Sequence, residues 1–109
     1  MDAPAYAPES LTGFVAAGAQ LILFTTGVGN SYGSALAPTL KLSANPVACA
    51  GLGEQLDFDA STAFGGREDL DGTADALLER LCDIASGEAT WGEILKEGDE
   101  VVSRFEAAL

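Results

Sequence analysis

The residues best suited to chemistry lie in one stretch, Phe24-Thr25-Thr26-Gly27-Val28-Gly29-Asn30-Ser31-Tyr32-Gly33-Ser34. Gly27, Gly29 and Gly33 admit φ > 0 and let backbone N–H groups come close to a ligand. Thr25, Thr26, Ser31 and Ser34 add hydroxyl donors. Such a nest suits a carboxylate or a phosphate, and a plain structural turn is the competing reading. The spacing Gly27-x-Gly29-x-x-x-Gly33 misses the dinucleotide fingerprint, and no Gly-Lys-Ser/Thr end follows, so neither nucleotide loop is expected. Lys41 is the only base among residues 1–53. It could neutralise a bound anion, or simply be an exposed strand lysine. Asp57 and Asp59 share one face of a strand, where they could hold a metal or exchange protons; with Phe58 turned inward, both would instead meet solvent.

These groups need elements to position them. Asp2 to Pro8 reads as an extended lead-in, with Ser10 capping a short helix that Gly18 ends. Leu21-Ile22-Leu23-Phe24 is an unbroken apolar run, as in a parallel strand covered on both faces, so the glycine loop should sit at a strand's C-terminal end. Thr39 to Ser43 alternates as a second strand. Asn45-Pro46 starts a helix over Val47 to Leu52. Leu56 to Asp59 gives a short third strand, and Ala60 to Gly66 a flexible loop. Asp69 to Ser86 is the strongest helix, with Leu70, Ala74, Leu77, Leu78, Leu81 and Ile84 on one stripe and Gly87 closing it. Thr90-Trp91-Gly92-Glu93 has the form of a capping box. Asp99 to Leu109 reads as a final helix with Val101, Val102, Phe105 and Leu109 inward. The order predicts an α/β fold, a small three-layer domain with a short, mainly parallel sheet flanked by helices.

The chain has 109 residues, room for a single domain over 1–109, and its hydrophobic fraction of 48% supplies a core. Its net charge of −12 is uneven: residues 54–109 carry −11 of it. That balance disfavours nucleic acid and anionic membranes as partners; a solvated acidic face is the plain reading. The longest apolar stretch, Phe14 to Phe24, is too short for a membrane span of ~20 residues. No basic segment precedes an apolar run at the start, so no secretory signal is expected and the location reads as cytoplasmic. The chain has no histidine. Cys49 and Cys82 form no Cys-x-x-Cys pair, so no metal ligands are assigned and both read as small buried side chains.

Several segments together resemble the C-terminal region of the altronate dehydratase and galactarate dehydratase family, to which sulfolactate sulfo-lyase is related. They are Met1-Asp2-Ala3-Pro4-Ala5-Tyr6-Ala7-Pro8 through Thr12-Gly13, Gly18 through Phe24-Thr25-Thr26-Gly27, Pro38-Thr39-Leu40-Lys41 through Asn45, Leu56-Asp57-Phe58-Asp59, and Ala85-Ser86-Gly87-Glu88. The likeness runs over residues 1 to about 90; residues 91–109 read as a divergent helical tail. Val28 stands where the family carries Arg. The resemblance implies a hydro-lyase that dehydrates sugar acids, to which this lobe contributes substrate-carboxylate binding through Thr25, Thr26, Gly27, Gly29, Ser31, Gly33, Ser34, Lys41 and Asn45. Asp2, in the matching opening segment, is the catalytic candidate. It also implies that N-terminal and central lobes complete the enzyme and that a divalent metal, typically iron, is held there. The alternative is a non-catalytic assembly domain, with a homodimer as one form.

Overall fold

A computed structural model describes residues 3–64 and 70–102. Asp2, the glycines at 65 and 66, Asp69, Phe105 and Leu109 lie outside the described residues.

The sheet is built on β3, Thr39–Ser43. It runs parallel between β1, Ile22–Thr25, and β4, Phe58–Asp59. The register sets Ile22 beside Thr39, Phe24 beside Lys41, and Leu42 beside Phe58. Side chains alternate faces along a strand, so Ile22, Phe24, Thr39, Lys41 and Ser43 share one face. Leu40 and Lys41 are both fully buried.

That first face is covered by α1, Ala7–Ala16. Leu11 joins Ile22 and Ala37 in the core, with Phe14, Val15, Phe24 and Tyr32 packed against them. The helix begins earlier than the sequence suggests. Pro8 sits in its first turn, where a missing N–H costs nothing, and Ser10 lies inside rather than at the cap. Gly18, at φ +103°, ends it as expected. The other face of β1 is not covered: Leu23 is 46% exposed. The unbroken apolar run therefore marks a strand with one open side.

Asn45 caps α2, Pro46–Gly51, by accepting from the Val47 N–H at 3.0 Å. Asp59 accepts from Ser61 N–H at 2.8 Å. This starts α3, Ser61–Phe64, where a flexible loop is expected from sequence. The long helix α4, Leu70–Ala85, forms where its stripe predicts, and Gly87 at φ +110° follows it. Its stripe is poorly covered: Ile84 is buried, whereas Leu70 and Leu78 are exposed. Thr90 and Glu93 complete the capping box of α5, Trp91–Leu95.

Two short strands escape the sequence reading. Gly33–Ser34 (β2) pairs in parallel with Gly98–Asp99 (β5). The chain after α5 thus returns as a strand. Val101 and Val102 face outward, not into a core. Cys82 is exposed and Cys49 half-buried, both as free thiols, so only one of them approaches the expected buried state. No helix among the described residues is long and apolar enough to cross a membrane.

Candidate functional site

Most of the predicted site residues fall near two clefts. The first is a cleft of about 480 Å³ at the C-terminal ends of β1 and β3, bounded by Thr25, Thr26 and Gly27 on one side and Ser43, Ala44 and Asn45 on the other, with Ala60 and Phe64 beyond. Parallel α/β sheets place ligands at this edge of the strands. The Thr26 N–H bonds to the Leu42 carbonyl at 2.9 Å, continuing the β1–β3 ladder to the cleft mouth. Asn45 works twice: its Oδ1 caps α2, and its Nδ2 donates to the Gly27 carbonyl at 2.7 Å. One side chain therefore ties the loop to the helix start. Thr25 is exposed and Thr26 half-buried.

Gly29 alone of the three loop glycines has a positive φ, at +90°, and a Cβ there would stand 2.3 Å from Leu52 Cδ1. The open backbone that the loop composition suggests is thus confined to one residue. Asn30 Oδ1 accepts from Tyr32 N–H at 2.9 Å, turning the chain toward β2. Ser31 is exposed on a separate surface beside Lys96 and Asp99.

The second place lies under β5, where a cleft of about 380 Å³ runs past Gly33, Ser34 and Thr39 to Thr90 and Lys96. Here Ser34 and Lys41 already have partners. Lys41 is neither an exposed strand lysine nor open to a ligand. Its Nζ is buried and pairs with Glu97 at 3.3 Å, with Glu97 26% exposed. Gly33 packs beneath the Glu97 carbonyl. Ser34 Oγ donates to Glu100, whose carboxylate also accepts from Ala35 N–H at 3.0 Å and Thr12 Oγ at 2.5 Å. Burial raises the Glu100 carboxyl, but hydrogen bonds from Ser34, Thr12 and the N–H groups of Ala35 and Leu36 outweigh it and hold the group below its usual range. Burial pushes the Tyr32 phenol up, opposed by its bond with Thr12 and reinforced by the Glu100 and Asp99 charges.

Asp57 and Asp59 do not act as a pair. Asp57 is half-buried: one oxygen accepts from the Lys41 N–H at 2.8 Å and the other from the Trp91 N–H at 2.7 Å. It joins the first turn of α5 to the central strand. Asp59 is exposed, and the Ser61 hydroxyl, the Cys49 thiol and the Ser61 N–H lower its carboxyl. Burial and the neighbouring Asp59 raise the Cys49 thiol. Among the described residues no three His, Cys, Asp or Glu side chains converge as metal ligands.

Sequence reasoning passed over Glu97, Glu100 and Thr12. The two glutamates lie in a tail read as helix, and nothing in their spacing marks them. Thr12 lies in the opening segment but carries no turn or nest signal.

A short parallel sheet flanked by helices, with an open cleft at its strand ends, defines the α/β class. Comparison with known proteins makes the class specific. The model of the D-galactarate/altronate dehydratase C-terminal family matches residues 1–107, and the chain belongs to that family. It is 35% identical over 105 residues to the (2R)-sulfolactate sulfo-lyase subunit beta of Chromohalobacter salexigens, covering 96% of this chain and 27% of that protein. It is 27% identical over 93 residues to the altronate dehydratase of Escherichia coli, covering 85% of this chain and 18% of that enzyme. The chain therefore spans about a quarter of the first relative and less than a fifth of the second.

Proposed function

We propose that this chain is the substrate-holding C-terminal lobe of a lyase acting on α-hydroxy acids, of the sugar-acid dehydratase or sulfo-lyase kind. The observation that carries this reading is the cleft at the strand ends, where Thr25, Thr26, Gly27 and Asn45 meet. Elimination needs a base to take the proton next to the carboxylate and an acid or metal to help the leaving group depart. Threonine hydroxyls and an amide are neither. They are donors, and their part is to hold and orient an acid group. Ser34 and Lys41, which have internal partners, leave the substrate role to this cleft. A divalent metal suits the rest of such an enzyme. Among the described residues of this chain no donor set gathers to hold one. Val28, 82% exposed at the loop tip, offers no charge to a second acid group. Other lobes would supply that clamp.

The test is an NMR titration of the chain with galactarate, altronate and (2R)-sulfolactate. Saturable shifts at the amides of Thr26, Gly27 and Ala44 are expected for at least one acid. The same cleft then predicts that Thr25→Ala raises KM in enzyme reconstituted with the remaining lobes, with little change in kcat. No shift at millimolar acid, together with an unchanged KM, would remove the cleft from substrate binding.

A second reading, an assembly domain, is favoured by the open apolar stripe of α4. Leu70 is 74% exposed and Leu78 is 60% exposed. Apolar side chains gathered in this way mark a surface meant to be covered. The two readings are compatible, since a lobe of a larger enzyme must dock on the rest of it. Sedimentation of the chain with and without the acids separates them: an acid-insensitive dimer would put assembly first.

A further inference from the structure

The contacts of Glu100 are those of a bound carboxylic acid. Ser34 Oγ accepts from the N–H groups of Leu36 at 3.1 Å and Ala37 at 3.2 Å. Its lone pairs are thereby occupied and its proton is directed at the Glu100 carboxylate. Thr12 is arranged in the same manner. Its Oγ accepts from Val101 N–H at 3.3 Å and lies 3.1 Å from the Tyr32 hydroxyl, leaving its own proton for the other Glu100 oxygen. The Ala35 N–H adds a third donor. Donors fixed in advance by their own partners favour an anion because they need not reorganise to receive it.

Space lies beside these donors. Ser34 and Ala35 also line the 380 Å³ cleft, and Lys96 stands at its rim. We propose that Thr12, Ser34 and Ala35 form a carboxylate-binding site, occupied in this structure by Glu100 of the same chain. A small organic acid would place its carboxylate there when Glu100 swings out, with its body in the adjoining cleft and the Lys96 ammonium near its far end. Glu100 is then a tethered competitor that sets how strong an external acid must be. This second site is distinct from the cleft at the strand ends and does not depend on it.

Emptying the cradle tests the assignment. In the full chain, Glu100→Ala should lower Tm, and sodium acetate should restore it by about 4–8 °C when the cradle is mostly filled, relative to sodium chloride at equal ionic strength. The wild-type chain should show no acetate-specific rise, and Ser34→Ala in the Glu100→Ala background should abolish it. An equal response to acetate and chloride would overturn the site and leave Glu100 as a packing latch. If Glu100→Ala does not fold in chloride, Glu100→Gln takes its place and the Ala35 amide is followed by NMR: an acetate-specific, saturable shift supports the site, and none overturns it. None of these readouts involves Thr26, Gly27 or Asn45, so a failure here is separable from a failure of the proposed substrate cleft.

Discussion

The two ends of the central strand β3 handle their polar groups in opposite ways. At its C-terminal end, Thr25 stays exposed and Thr26 half-buried, and Asn45 uses its amide to brace a loop around an open cleft. Toward the other side, under β5, Ser34 and Lys41 are bound by carboxylates that the tail supplies, Glu100 and Glu97. The same loop feeds both regions. What separates them is distance from the returning tail, which reaches one and not the other. Donors left open are available to a ligand at once, whereas donors filled from within contribute to stability first.

This contrast can be broken most severely at Glu97. Replacing it with Gln leaves the fully buried Lys41 ammonium without a counter-charge, and losses of about 3–5 kcal/mol are typical for stranding a buried ion. Urea denaturation should show a drop of that order for Glu97→Gln; a change under about 1 kcal/mol would mean that water reaches Nζ and that the pair behaves as a surface one. Glu100→Gln should cost less, about 1–3 kcal/mol, the range for removing a charged hydrogen-bond partner. Its signature is the pH profile. The Glu100 carboxyl is lowered in the fold from an ordinary value of 4.5. Its contribution is therefore fully present above that value and fades as pH falls through the lower folded value. Wild type should lose stability in that acid window more steeply than Glu100→Gln, and parallel acid limbs would contradict the assignment. The smallest effect belongs to the open end: Thr25→Ala should change stability by less than about 0.5 kcal/mol, as surface substitutions do, while still disturbing acid binding. A large loss there would make the open cleft another internally satisfied site.

Much of this organisation is legible in the sequence because it is local. The cap at Asn45, the capping box from Thr90 to Glu93, the glycine stops at 18 and 87, and the strand over Thr39 to Ser43 each depend on a few neighbouring residues. The Thr25 to Gly27 segment could be placed at a strand end because an apolar run precedes it. The destination of Lys41 could not be read in that way. A lone base in an acidic chain looks like a ligand for anions until Glu97 is brought to it from far along the sequence. Ser34 is parallel: its hydroxyl donates to an anion, but that anion is part of the chain. The hydrogen bonds of Asp57 are not legible locally because its partners, Lys41 and Trp91, belong to other elements. Pairings of distant residues through two-residue strands leave no periodicity, so β2 and β5 had no sequence signal.

The β2–β5 ladder also governs the order in which the molecule can be completed. It joins the first third of the chain to a segment almost at its end. On the ribosome, residues 1–53 emerge long before Glu97. Until then Lys41 has no partner with which to enter the core, and the central strand cannot be sealed without stranding a charge. Local helices such as α4 can form early, but closing so long a loop carries an entropy cost that only the finished tail offsets. A nascent chain halted before residue 97 therefore leaves β2 unpaired and Lys41 without its counter-charge. The short segment from Glu97 to Glu100 thus decides whether the first half is protected from proteolysis.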